Sequence, residues 1–245
     1  MLDHIKIENV LFLDIETVPQ YQNFSDIPDK FKEFWERKSS FFRNEEQSAA
    51  DVYQRAGIYA EFGKIICISV GLAVKKNELY SFRLKSFFGD NEDLLLKEFA
   101  EMLQRYHASN TELQLCAHNG KEFDFPFIAR RMLINGIKLP KILDVAGRKP
   151  WEVMFLDTME LWKFGDYKNY TSLNLLTRIF NIPTPKDDID GSMVAEVYYN
   201  QKDIGRIVEY CEKDVLAVAQ LFLKYKGLDL IDVQNVESTT INKLL

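Results

Sequence analysis

An α/β fold is expected from three features of the sequence. A β-branched run, Lys64 to Val74, is followed by the alternating segment Glu78 to Leu84, and the two read as a hairpin. Two long stretches carry helical periodicity. One holds Leu94, Leu95, Phe99, Met102, Leu103 and Tyr106, and the other Ile207, Val208, Cys211, Val215, Val218, Leu221 and Phe222. Three further apolar runs end at polar residues, Asp14, Asn119 and Asp157. Strand and helix patterns thus alternate along the chain.

Taken in order, Val10 to Leu13 reads as a first strand that Pro19 ends. Residues 20 to 62 read as a mostly helical connection, with caps at Ser25, Asp26 and Pro28. Its ten aromatic residues, Phe31, Phe34, Trp35, Phe41, Phe42, Tyr53 and Tyr59 among them, suit core packing or a groove for stacked bases. After the hairpin, whose turn falls at Lys75-Lys76-Asn77, Asp90 or Asn91 can cap a helix running to Tyr106. Leu113 to Asn119 is a short strand ending at Gly120. A helix follows with Pro126 in its first turn and Asn135-Gly136 as its stop. Val153 to Thr158 reads as a fifth strand, and Tyr170 to Phe180 as a helix broken by Asn181-Ile182-Pro183-Thr184-Pro185. Gly191-Ser192 leads a short helix through Tyr199, and Asp203 to Tyr225 is the last strong element. The tail, 227 to 245, has weak periodicity. No repeat or linker argues for a second domain, so residues 1 to 245 are expected to form one domain.

Hydrophobic residues make up 47% of the 245, enough for a core, and no apolar run reaches membrane-spanning length. The start lacks the layout of a secretory signal. Cys67, Cys116 and Cys211 lie far apart without any C-x-x-C, as expected of buried thiols in a reducing cytoplasm. The net charge of −6 gives no global basic surface for nucleic acid. An acidic metal site weakens that objection, because bound cations restore positive charge locally. Between Arg130 and Lys149 six bases (Arg130, Arg131, Lys138, Lys141, Arg148, Lys149) face one acid, Asp144; a basic surface and a solvated loop fit this equally.

Asp14 and Glu16 are two apart on a strand, so both side chains point to one face. Two like charges held there are costly unless a cation sits between them, and a divalent metal with oxygen ligands is the simplest occupant. Asp124 lies at the start of a helix, where an N-cap is the ordinary role of an aspartate. Tyr210 and Asp214 are four apart and share a helical face. Each taken singly has a bland structural reading.

Together, Asp14-Ile15-Glu16-Thr17, Asn119-Gly120-Lys121-Glu122-Phe123-Asp124 and Tyr210-Cys211-Glu212-Lys213-Asp214 resemble, in order, the three motifs of the DEDD superfamily of 3′–5′ exonucleases. The tyrosine in the third motif is similar to the DEDDy subclass typical of polymerase proofreading domains. The histidine subclass would place its base where this chain has Glu209. The surroundings, residues 9 to 226, are most similar to stand-alone predicted exonucleases related to the family-B polymerase exonuclease domain. The resemblance implies a ribonuclease H-like fold, with a five-stranded mixed sheet flanked by helices. It implies two divalent cations, Mg²⁺ or Mn²⁺, held by Asp14, Glu16, Asp124 and Asp214, with Tyr210 orienting the attacking water. It also places Thr17, Asn119 and Phe123 near the substrate, although Phe123 reads better as structural. Asp157 is not required by the family, and a capping role suits it. The expected substrate is single-stranded nucleic acid with a free 3′ end, DNA favoured over RNA. An exoribonuclease and a non-catalytic binding module are the alternatives. No protein partner is indicated.

Overall fold

β1 (Val10–Pro19) runs through the interior of a six-stranded mixed sheet, and its two faces carry different side chains. The computed structural model describes residues 2–76, 79–166, 170–183 and 189–240. The strand order is β5-β4-β1-β2-β3-β6. β2 (Gly63–Lys76) pairs antiparallel with β1, and β3 (Leu79–Phe88) antiparallel with β2. This is the expected hairpin extended to a meander; Asn77, within its turn, lies outside the described residues. α1 (Asp29–Ser39) lies in the connection from β1 to β2. α2 (Glu92–Ser109), capped by Asn91 through the Leu94 amide at 3.1 Å, leads to β4 (Gln114–Ala117), which is parallel to β1. α3 (Asp124–Ile134) then leads to β5 (Leu156–Asp157), parallel to β4.

Several expectations need correction. The strand at 153–158 shrinks to Leu156–Asp157. Asp157 ends it by accepting hydrogen bonds from the Met159 and Glu160 amides at 2.9 and 3.3 Å, which opens α4 (Thr158–Lys163). The helix expected over 170–180 is the shorter α5 (Leu173–Ile179); Thr184 and Pro185, named as its breakers, lie outside the described residues. The sheet has six strands rather than five. The tail adds β6 (Val236–Ser238), parallel to β3, after α6 (Val194–Glu196) and α7 (Ile204–Lys226). Buried Glu212 of α7 explains why so short a strand holds. It accepts from the Ser86 hydroxyl of β3 at 2.7 Å and the Ser238 hydroxyl of β6 at 3.1 Å, while Thr240 receives the Ser86 amide at 2.7 Å.

The insertion at 20–62 is not mostly helical. Besides α1 it holds two 3₁₀ turns, Phe24–Asp26 and Tyr53–Ile58. Short polar side chains divert the rest into turns: Asp51 takes the Ser48 amide at 2.8 Å, and Gln47 takes the Asn44 amide at 3.2 Å. The aromatic residues split between two roles. Trp35 and Tyr53 are buried with Ile27, Ala49, Val52 and Ala56 in a small core. Phe31, Phe34 and Phe41 remain exposed.

The alternation of β1 divides the molecule. Leu11, Leu13 and Ile15 face α2 and α3, packing with Leu95, Phe99, Leu103 and Ile128. Val10 and Phe12 face α7, and the Phe12 ring meets Phe82 and Phe222 at 6.0 and 5.6 Å. Of the six bases in the 130–149 stretch, Arg131 is buried rather than on a basic surface. It binds Glu92 through both guanidinium edges, Nε–Oε1 at 2.9 Å and Nη2–Oε2 at 2.5 Å, and also donates to the Ala60 carbonyl.

α7 crosses the sheet at Gly71 of β2. A methyl group there would lie 2.3 Å from the Phe82 ring and 2.8 Å from Val215. Only glycine allows that approach, so Gly71→Ala should destabilise the protein by about 1–3 kcal/mol through overpacking. Gly205→Ala, in the open first turn of α7, should be neutral or stabilising by up to ~1 kcal/mol. Urea unfolding midpoints measured on the two variants check this contrast.

Candidate active site

The stripe of β1 that faces α7 reads Val10, Phe12, Asp14, Glu16, Val18. Two acids interrupt an otherwise buried apolar line. Glu16 is 7% exposed, and Asp14 keeps part of its surface open to a cleft. A register shift in the β1–β2 ladder falls between Glu16 and Thr17, a β-bulge of the kind that re-aims side chains beside functional sites.

Asp124 reaches the same place from the other side of the sheet. It is the first residue of α3 and 3% exposed. The N-cap position belongs to Phe123, so the capping role expected of Asp124 is not the one it has. Its Oδ1 instead accepts the Ile15 amide of β1 at 3.2 Å, fixing it between Asp14 and Glu16 in sequence. The loop leading to it is anchored by Asp157. That buried carboxylate accepts the Asn119 amide at 2.9 Å and the Lys121 amide at 3.1 Å, in addition to capping α4. Asn119 takes a left-handed backbone with φ 62°, as asparagine tolerates.

α7 closes the third side. Tyr210 and Asp214 are hydrogen-bonded to each other across one helical turn, and both line the cleft. Cys211, between them, approaches the Asp14 carboxylate at 3.5 Å. Asp14, Glu16 and Cys211 offer ligand atoms all within 4.8 Å of one another. Burial, contact with Cys67 and the nearby acids keep the Cys211 thiol protonated, so it acts as a donor to Asp14 rather than as a thiolate.

All eight residues singled out from the sequence, Asp14, Glu16, Thr17, Asn119, Phe123, Asp124, Tyr210 and Asp214, line one cleft of about 570 Å³. Phe123 has a second contact, its ring packing on Phe127 at 5.4 Å. Asn119 Oδ1 is buried without a hydrogen-bond partner among the described residues. The cleft opens beyond the carboxyl ends of β1 and β4, where α/β sheets generally hold ligands.

Electrostatics disfavour the charged forms of these carboxyls. Burial pushes the Asp14 carboxyl well above the usual range, and the charges of Asp124, Glu16 and Asp214 push it further. Glu16 is raised by burial and then chiefly by Asp214. Asp124 is raised to about 7, again mainly by burial, despite the opposing hydrogen bond from Ile15. Burial and the neighbouring carboxylates drive the Tyr210 phenol far above its ordinary value, which keeps it neutral. The donor set, hard oxygens crowded in one buried place, fits small divalent cations.

Several lining residues were not singled out from the sequence. Gln54, Arg55 and Ile58 arrive from the insertion, and Tyr170 from the segment before α5. No local pattern marks them, because only tertiary packing brings them here. His118 also lines the cleft, yet it is occupied. Its Nε2 donates to the Thr171 carbonyl and its Nδ1 accepts from the Thr158 hydroxyl, both at 2.9 Å. Burial lowers its pKa, so it is a neutral brace between loops.

No curated protein sequence matches the chain. Among solved structures, the family B DNA polymerase from the hyperthermophilic archaeon Pyrobaculum calidifontis is similar in fold, with a TM-score of 0.52 at 14% identity. The match covers 88% of this chain and 24% of that polymerase, so the chain spans about a quarter of its length. The sheet and its flanking helices are thus ribonuclease H-like, similar to the polymerase exonuclease domain. A model of predicted 3′–5′ exonucleases related to the exonuclease domain of PolB matches residues 58–241, and the chain belongs to that family.

Proposed function

We propose that this protein is a metal-dependent 3′–5′ exonuclease acting on single-stranded DNA, with the whole chain forming one exonuclease unit in the cytoplasm. The observation that carries the reading is the convergence of four carboxylates and a neutral tyrosine from β1, α3 and α7 in one cleft. Asp14, Glu16, Asp124 and Asp214 would hold two divalent cations, Mg²⁺ or Mn²⁺. When bound, the cations supply activation of water and stabilisation of the leaving oxyanion.

The chain's own groups do the rest. Tyr210, neutral and tied to Asp214, positions the attacking water with its hydroxyl; it is not an anionic base. Water adds to the terminal phosphodiester and the bond from phosphorus to the 3′ oxygen breaks. The proton passes to that oxygen, releasing a nucleoside 5′-monophosphate and a shortened strand with a new 3′ hydroxyl. Thr17 and Asn119, which line the cleft, contact the terminal nucleotide, and Phe123 shapes the wall behind it.

The direct test is digestion of 5′-labelled single-stranded DNA with Mg²⁺ or Mn²⁺. Stepwise shortening is expected, blocking the 3′ hydroxyl should stop it, and Asp14→Ala should lower the rate by about 10³-fold or more, as loss of a metal-assisted mechanism does. Binding without metal-dependent shortening would contradict the reading. A matched RNA oligonucleotide digested faster would move the substrate assignment to RNA.

The raised carboxyls also make stability depend on pH. The unfolded chain releases these protons near pH 4, whereas the folded protein retains one on Asp124 up to about pH 7. The folded state therefore binds more protons across that window, and metal-free stability falls as pH rises through it. Divalent cations should oppose this above pH 7 and have little effect at pH 5, where protons compete. In thermal melts at pH 8, Mn²⁺ should raise the midpoint. Asp124→Asn, which keeps the acceptor for Ile15, should raise the metal-free midpoint by about 2–4 °C or more per kcal/mol of relieved repulsion, and should blunt the Mn²⁺ effect. Equal responses at pH 5 and pH 8 would contradict this.

A further inference from the structure

We propose that Arg55 is a clamp for the nucleic-acid backbone, binding the phosphate immediately 5′ to the scissile one. The inference rests on the exonuclease reading and identifies how that cleft holds more than its terminal nucleotide. Among the described residues lining the cleft, Arg55 is the one lysine or arginine, against four acids, Asp14, Glu16, Asp124 and Asp214.

Its presentation is built. The guanidinium carbon sits 4.2 Å from the centroid of the Phe42 ring. Phe42 in turn stacks on Tyr59 at 6.1 Å with a 19° tilt, and meets the Trp35 ring edge-on at 6.0 Å. Trp35 is fully buried and donates to the Ala49 carbonyl at 2.9 Å. The 3₁₀ turn bearing Arg55, Tyr53–Ile58, is seated on β1 just past Glu16 and Thr17. A methyl group on Gly57 would lie 3.2 Å from Val18 and Pro19 backbone atoms, so the turn lies directly against the strand. The insertion therefore forms one wall of the cleft, with Arg55 among its lining residues and its guanidinium stacked on Phe42.

The choice of phosphate follows from charge. Arg55 is exposed and forms no ion pair among the described residues, the four acids of the cleft included. A guanidinium close enough to serve the scissile phosphate would close onto the crowded carboxyls of Asp14, Glu16 and Asp124. Stacking on an aromatic face leaves the N–H edge of arginine free for a bidentate contact with phosphate. The scissile phosphate has the cation site to neutralise it. The next phosphate has Arg55.

The test compares the dinucleotide d(TpT), which carries only the scissile phosphodiester, with the trinucleotide d(TpTpT), which adds the phosphate assigned to Arg55. Wild-type protein should cleave the trimer with higher kcat/KM than the dimer, by about tenfold to a hundredfold, as expected of a charge-assisted contact. In Arg55→Ala that ratio should collapse towards one, with the loss in KM. Arg55→Lys should keep part of it, because the charge remains without the planar fork. Phe42→Leu should also lose part, because the platform is gone while the arginine stays. An Arg55→Ala defect of equal size on both substrates, or none on either, would overturn the clamp while leaving the exonuclease reading intact. Wild-type protein that cleaves neither substrate would overturn that reading, and this inference with it.

Discussion

Repulsion among buried carboxylates is the constraint on which the rest of this structure depends. Asp14 and Glu16 occupy positions on β1 that the pattern of Val10, Phe12 and Val18 would otherwise fill with apolar side chains. Asp124 and Asp214 are brought to the same place from α3 and α7. Nothing in hydrophobic packing favours this, and burial alone raises the pKa of Asp14, Glu16 and Asp124. The arrangement makes physical sense as the cation site proposed above, braced by the surrounding fold.

That support is distributed. The apolar face of β1 locks onto α2 and α3, and Asp124 is tied to the Ile15 amide within that contact. Asp157 ties the loop before α3 to the start of α4 through four backbone amides, those of Asn119 and Lys121 in the loop and of Met159 and Glu160 in the helix. On the opposite side, Glu212 fastens α7 to β3 and β6 two residues before Asp214. The side chains that carry the proposed chemistry therefore sit next to side chains whose hydrogen bonds fix the backbone. Catalytic geometry requires such supports.

Much of this was legible in the sequence, for identifiable reasons. The two-residue spacing of Asp14 and Glu16 and the four-residue spacing of Tyr210 and Asp214 are read by the regular periods of strand and helix. The central strands and the long helices announce themselves by periodicity for the same reason. What was not legible depends on distant contacts. β6 has three residues and pairs through a buried glutamate that local pattern cannot reveal. Asp124 reads as an N-cap until β1 is placed beside it. Arg131 reads as surface charge until Glu92 is placed opposite it. Arg55 lies in a segment whose polar side chains turn the chain repeatedly, so its arrival in the cleft follows from the packing around Trp35.

The role proposed for these acids is to bind two cations. Mn²⁺ binding followed by electron paramagnetic resonance, in the presence of thymidine 5′-monophosphate, tests it most directly. Two Mn²⁺ per wild-type chain are expected, with loss of both in Asp14→Asn and loss of one in Asp124→Asn. A wild-type chain that binds no Mn²⁺, or variants that retain both ions, would contradict it.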